Sequence, residues 1–425
     1  MDTTVRERAD LCFAAGNLAE AEKLYQQYRL DNPVDGQILS KLALLSFWRN
    51  DLAQAERLFH EAGMTSSWYQ KCRPFNVMQL FQQAMLCIRQ ARWREAADLL
   101  RKAQGPIPVG PFRPLRARAA QAELFIATPP YQINGPDRVD LPFVVSEPLP
   151  VVEISVNGSE PAKFFLDTGA EELILDHAFA RQITANIVDS AWEEYAGGKK
   201  GKTGYGKVDQ VSLGAMLVQH VPVTTLDLQH ISRPVFGEVD IKGVIGTRFL
   251  MHFMATINYP ARQLTLRKSE KVIMDDFYRH AEQNSCHVIP FWLVETHLIF
   301  ARGAFNERPA GMMFIDTGLA GGGFMTSRHK LEQDGVKLDW RAAKSGYGGG
   351  GKINALELVV DRVVLGEYAQ RVIQEKVDCI VTEKELSIFK GSLGFAVEGL
   401  ISHRFLRDFS LTFDFMRMQM VLQRK

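Results

Sequence analysis

Residues 164–176 read FFLDTGAEELILD, and residues 313–325 read MFIDTGLAGGGFM. Each is a run of large apolar residues leading into Asp-Thr-Gly, and Asp316 follows Asp167 by 149 positions. A second pair lies further along, KGVIGTRFL at 242–250 and EGLISHRFL at 398–406, 156 positions apart. Offsets that nearly agree point to a duplicated unit and not to scattered coincidences. Each copy closes with a strand-like alternation about a turn, ATINYPARQLTLRK at 255–268 and SLTFDFMRMQMVLQRK at 410–425. The spacing predicts two mostly β lobes, at 151–275 and 276–425, each presenting one Asp at the end of a buried strand.

One Asp-Thr-Gly arises by chance in about one chain in ten of this length, and two in about one in two hundred. Matching places in a repeat make accident rarer still. The residue types suit one chemistry. Splitting an unactivated amide without a metal needs one group to take a proton from water and another to give one to the carbonyl oxygen or leaving nitrogen. Two carboxyls held about 3 Å apart do both, because like charges so close raise one pKa and leave the pair a single proton. Which Asp holds it is a property of the pair. Strands ending in Leu166 and Ile315 deliver Asp167 and Asp316 to a dry interface, where Thr168 and Thr317 can hydrogen-bond across the lobes. Gly169 and Gly318 lack the Cβ atoms that would hold the two loops apart.

These motifs resemble the pepsin and retropepsin clan of aspartic proteases, over roughly residues 130–425. The resemblance implies an endopeptidase whose Asp167/Asp316 dyad activates water, with extended polypeptide as substrate. It also implies that Val244, Ile245 and Gly246 support the first catalytic loop, and Leu400, Ile401 and Ser402 the second. Ser402 stands where the family has Gly. A flap is expected between the two motifs of each lobe, and Gly-Tyr-Gly at 204–206 and 346–348 makes Tyr205 and Tyr347 the candidates for its tip.

The N-terminal part has another period. GNLAEAEKLY at 16–25 matches NDLAQAERLF at 50–59, 34 residues on, and ARWREAADLL at 91–100 lies 41 later. The small Ala21, Ala55 and Ala96 recur at one place, where two helices of a hairpin can approach closely. The segment resembles a short, irregular tetratricopeptide array, and a candidate protein-docking surface. Prolines in QGPIPVGPFRPL at 104–115 predict its end. The expected organisation is therefore multidomain α plus β: a helical hairpin repeat array at 1–115, a Pro-rich linker and lead-in at 116–150, and a two-lobed aspartic-protease fold.

The 425 residues carry a formal net charge of +1, which gives no footprint for nucleic acid or an anionic membrane. The five cysteines form no C-x-x-C pair, and no ligand spacing links the ten histidines, so neither a metal nor a cofactor is expected. The apolar run at 291–301 is too short to span a bilayer. With no signal-peptide pattern, a cytoplasmic protein is expected. Two near-matches to a phosphate-binding loop, at 196–203 and 346–353, lack the strand before or the helix after that such a loop needs. The alternative from a different class is an inactive peptide-binding scaffold with a protein-docking helical array.

Overall fold

The computed structural model describes residues 4–65, 73–104, 114–195, 200–282, 286–348, 351–383 and 393–424. The chain forms two compact units. A helical unit comprises Met1–Pro129 with two short segments from later in the chain, Val188–Ala191 and Gly391–Ala396. A β unit comprises Pro130–Ile187, Trp192–Lys390 and Val397–Lys425.

Among the described residues the helical unit has seven helices: Val5–Ala14, Leu18–Asp31, Gly36–Trp48, Leu52–Thr65, Arg73–Arg89, Trp93–Ala103 and Leu115–Glu123. The first is opened by a reciprocal cap between Thr4 and Glu7. Trp93–Ala103 buries Trp93, Ala96, Ala97, Leu100 and Ala103, the stripe expected of an amphipathic helix. Ala21, Ala55 and Ala96 are fully buried.

The three sequence copies share one turn. Gly16, Asn50 and Ala91 all have positive φ, at 73°, 61° and 58°. In each, that residue's amide donates to the carbonyl three back and the next amide to the carbonyl five back from itself, as in Asn17 to Cys12, Asp51 to Ser46 and Arg92 to Cys87. This pattern ends a helix with a left-handed residue and lets the return helix start at once.

The helical unit continues past the prolines expected to end it. Pro114 takes the N-cap of Leu115–Glu123, a place where a missing backbone donor costs little, and that helix buries Leu115, Ala117, Ala119 and Ala122. Residues 105–113 lie outside the described part. The expected linker and lead-in is also structured, since Gln132–Asn134 and Arg138–Pro142 pair with Met216–Leu226 and Gln263–Lys268.

The β strands form one sheet of eight strands and one of thirteen among the described residues. Within the first, six strands close a ring. Val151–Val156 pairs with Ala162–Leu166, which runs parallel to Ile241–Ile245. Leu173–Asp176, Met216–Leu226 and Lys200–Leu213 then lead back to Val151–Val156. The second sheet contains the same ring in the same order: Leu298–Phe305, Gly311–Asp316, Val397–Ser402, Phe324–Ser327, Val372–Thr382 and Gly351–Leu365.

The duplication extends to detail. Register shifts occur at Lys163/Phe164 and at Met312/Met313, the same 149 positions apart as the two Asp-Thr-Gly motifs. Asn157 and Asn306, also 149 apart, both have positive φ, and both side-chain carbonyls accept from a pair of strand amides. The closing strands join the copies: Phe253–Asn258 pairs with Phe409–Asp414, and the hydroxyls of Thr256 and Thr412 meet at 2.8 Å.

The apolar run at 291–301 is folded back on itself, with Phe291 opposite Ala301 across the hairpin. No described helix is long and apolar enough to cross a membrane.

Ala91 is the one non-glycine, non-asparagine residue at the shared hairpin turn, where a left-handed L-residue costs about 1–2 kcal/mol. Ala91→Gly removes that cost and loses part of the gain to the greater freedom of the unfolded chain, so it should stabilise the helical unit by about 0.5–1 kcal/mol. Urea unfolding followed by far-ultraviolet circular dichroism measures the change, and a destabilised variant would contradict the assignment.

Candidate active site

Asp167 directly follows the strand Ala162–Leu166, and Asp316 is the last residue of Gly311–Asp316. Each strand lies beside its parallel neighbour from the second motif, with Leu166 opposite Ile245, Ile315 opposite Ile401 and Asp316 opposite Ser402. A strand buried on both faces ends abruptly here, and its terminal carboxylate reaches the surface of the core with little freedom left.

The two loops are locked by crossed hydrogen bonds. The Thr168 amide donates to Thr317 Oγ1 and the Thr317 amide to Thr168 Oγ1, both at 3.0 Å. The hydroxyls pass the bonds on: Thr168 Oγ1 donates to the Ile315 carbonyl at 2.8 Å, and Thr317 Oγ1 to the Leu166 carbonyl at 3.3 Å. Both threonines are fully buried. Four bonds thus tie the base of one Asp to the base of the other in surroundings where an unmet donor is expensive.

Within each loop the glycine amide donates to its own aspartate, Gly169 to Asp167 at 2.7 Å and Gly318 to Asp316 at 2.8 Å. The glycines also permit the approach. A Cβ on Gly318 would sit 2.2 Å from Asp167 Cγ, and one on Gly169 would sit 2.9 Å from Asp316 Cγ. The two carboxyls are brought side by side, since a Cβ on Gly169 would meet Asp316 Oδ1 at 2.9 Å and Asp167 Oδ1 at 3.0 Å. Two ionised carboxylates so placed repel one another and have no donor between them, which favours a proton on one of the pair.

Burial raises both carboxyls above the ordinary value of 3.8. Asp316 is raised well above it, because the charge of Asp167 adds to burial. The pair therefore keeps one proton at a pH where exposed aspartates have lost theirs.

The second motif supports each loop from behind, with a different residue in each copy. In the first, the Gly246 amide donates to the Glu172 carbonyl and Thr247 Oγ1 to the Thr168 carbonyl at 2.8 Å. In the second, the Ser402 amide donates to the Gly323 carbonyl, its hydroxyl to the Gly322 carbonyl, and His403 Nδ1 to the Leu319 carbonyl at 3.1 Å. Ser402 therefore adds a hydrogen bond to the loop that it supports, where Gly246 leaves room for the close-lying Glu172 and Ala170 carbonyls.

The expected tyrosine tip at 205 is not what the structure shows. Tyr205 lies inside the strand Lys200–Leu213, is 1% exposed, and donates its hydroxyl to Glu193. Its flanking glycines serve a close crossing and not a turn, since a Cβ on Gly206 would lie 2.0 Å from the Asn186 carbonyl oxygen. Tyr347 sits on the strand Lys344–Gly348 opposite Lys352, and its side chain lies outside the described residues. Both phosphate-loop look-alikes run into strands, Lys200–Leu213 and Gly351–Leu365, with residues 196–199 and 349–350 outside the description. No three His, Cys, Asp or Glu side chains form a candidate metal site among the described residues.

Several neighbours carry no mark in the sequence patterns that point to the site. Arg248 Nη1 donates to Glu172 at 2.6 Å in a buried pair that ties the second motif to the loop after Asp167. His297 Nε2 donates to the Gly169 carbonyl at 3.2 Å. Tyr259 has a buried hydroxyl with no hydrogen-bond partner among the described residues, and burial together with the Asp316 charge holds that hydroxyl far above its ordinary pKa. The repeated Arg-Phe-Leu after Gly246-Thr247 and Ser402-His403 is the one signal that could have found Arg248; nothing in the spacing marks His297 or Tyr259.

Residues 152–252 match the family model described as "gag-polyprotein putative aspartyl protease". The matched stretch contains Asp167-Thr168-Gly169 and Val244-Ile245-Gly246 and stops short of Asp316. It is a retropepsin-like domain of the gag aspartyl protease type, preceded by an all-helical region. Among the curated proteins, none matches the chain.

Gly318→Ala places a methyl against the Asp167 carboxyl and should lower any turnover at least about a hundredfold, read by steady-state assay, with the fold retained by circular dichroism. For Asp316, a folded pKa raised above the unfolded 3.8 means that its stabilising contribution is complete below that value and is lost as pH rises through the folded pKa. Asp316→Asn should therefore melt higher than wild type near neutral pH, and the difference should shrink as pH falls toward the unfolded value. Equal melting curves at every pH would contradict the raised pKa.

Proposed function

We propose that the chain is an aspartic endopeptidase whose Asp167/Asp316 dyad hydrolyses peptide bonds with an activated water. The observation that carries this reading is the pair of carboxyls brought side by side by the crossed Thr168 and Thr317 bonds, with Asp316 raised well above an ordinary aspartate. Both motifs of the duplication contribute one Asp, so a single chain holds the complete pair.

The chemistry comes from the shared proton. The ionised carboxyl takes a proton from water as its oxygen attacks the amide carbon, and the protonated carboxyl gives its proton to the carbonyl oxygen. Collapse of the tetrahedral species then needs a proton on the leaving nitrogen, which the first carboxyl gives, while the second carboxyl takes the proton of a diol hydroxyl as the C–N bond breaks and the carbonyl reforms. After one turnover the pair again carries one proton. The Gly169 and Gly318 amides keep the carboxyls fixed throughout, so little reorganisation accompanies the charge movement.

The substrate is an extended polypeptide, which can lie as a strand with alternate side chains in apolar subsites. Among its described residues the helical unit carries no catalytic constellation, and we assign it a protein-binding role.

Wild type, Asp167→Asn and Asp316→Asn incubated with a diverse peptide mixture between about pH 4 and about pH 7.5 test the reading, with new termini identified by mass spectrometry. Wild type should cut, and each variant should lose at least about a thousandfold. A folded wild type that cuts nothing while a bound peptide still shields the dyad would replace the enzyme with a binding scaffold.

A further inference from the structure

The helical unit includes a piece of chain from far outside it. Gly391–Ala396 is grouped with the helices, and its described residues are Leu393, Gly394, Phe395 and Ala396. Phe395 is 8% exposed. Its ring meets Phe13 edge-on at 6.3 Å and Trp48 edge-on at 5.9 Å, while Phe13 and Trp48 stack on each other at 6.2 Å. The Ala396 amide donates to the carbonyl of Ala14, the last residue of the first helix, at 2.8 Å. Gly394 has φ 75°, and a Cβ there would lie 3.1 Å from the Phe13 ring. A left-handed glycine, an inserted ring and a capped helix carbonyl together make a fitted seat for four residues.

The chain leaving this seat enters the support of the dyad directly. Ala396 is succeeded at once by Val397–Ser402, the strand that runs beside Gly311–Asp316 and places Ser402 opposite Asp316. Ser402 and His403 then hold the loop after Asp316 at three carbonyls, those of Gly323, Gly322 and Leu319. In the first copy the corresponding strand, Ile241–Ile245, is approached differently. It comes after the helix Gln229–Phe236, and Phe236 packs on Phe165 at 5.3 Å, within the β unit itself. The two aspartates are thus supported by strands with different anchors.

We propose that the helical unit is a cis-acting positioning element for Asp316: it seats residues 393–396 through Phe13 and Trp48 and so fixes the strand that supports the second half of the dyad. Phe395, Phe13 and Trp48 are positioning residues, acting through Val397–Ser402. This rests on the reading of Asp316 as half of the dyad. It makes any partner that displaces Phe395 from its seat a regulator of the site, and it gives the duplicated motif one arm set by its own core and one set by the helices.

The test uses the full chain as wild type, Phe395→Ala, Phe395→Leu and Trp48→Leu, the last of which leaves every residue of the β unit and of the seated segment unchanged. Hydrogen exchange is measured at the amides of Gly318, Gly323 and Ser402 in the second copy and of Gly169 and Gly246 in the first. Phe395→Ala and Trp48→Leu should speed exchange at the second-copy amides at least about tenfold and leave the first-copy amides unchanged, with Phe395→Leu recovering most of the protection. Where cleavage is measurable, kcat should fall at least about tenfold with KM within about twofold. Unmoved second-copy amides, or equal acceleration in both copies, would overturn the proposal. Because exchange needs no turnover, a wild type that cleaves nothing refutes the peptidase reading alone, and a cleaving enzyme with unmoved amides refutes the anchor alone.

Discussion

The structure of the site depends on two threonine amides and two threonine hydroxyls that satisfy each other across the duplication. Four polar groups of fully buried residues meet here, so the loops either cross in this register or leave donors unpaired at a cost of about 1–3 kcal/mol each. That constraint brings Asp167 and Asp316 together against their mutual repulsion. Close approach in turn dictates glycine at 169 and 318, since any side chain there would occupy the space of the opposite carboxyl. The raised pKa of the Asp316 carboxyl is the consequence of geometry imposed from below.

The two copies have kept their backbone and diverged around it. The register shift before each Asp-Thr-Gly and the paired Asn157 and Asn306 remain equivalent. Around the dyad, Ser402 stands at the place of Gly246, His403 at that of Thr247, and Phe415 at that of Tyr259. Each change alters polarity on one side only. An intramolecular pair permits such divergence, because neither half has to serve both sides.

The backbone of the site is legible in the sequence, and its surroundings are less so. Asp-Thr-Gly can be read because three chemical demands, a carboxylate, a crossing hydroxyl and a missing Cβ, fall on consecutive residues. The helical hairpins can be read from a recurring small residue, although Ala91 hides a left-handed turn that Gly16 and Asn50 announce. Gly-Tyr-Gly at 204–206 suggests a turn, because glycines beside an aromatic suit a tip equally well. Only the neighbouring strand, pressed against Gly206, reveals that they serve a crossing. The prolines before residue 115 suggest an end, whereas Pro114 begins another helix. His297, Tyr259 and the seating of Phe395 depend on contacts between residues far apart in sequence, and no local pattern encodes them.

The central claim is that Asp167 and Asp316 share one proton, and the direct measurement is a carbon-13 NMR titration of aspartate carboxyls in the full chain, assigned with Asp167→Asn and Asp316→Asn. The account predicts that one carboxyl of the pair stays protonated well above the ordinary 3.8, and that removing Asp167's charge lowers the transition of Asp316. Two independent transitions near the ordinary value, each unchanged when the other aspartate is replaced, would contradict it.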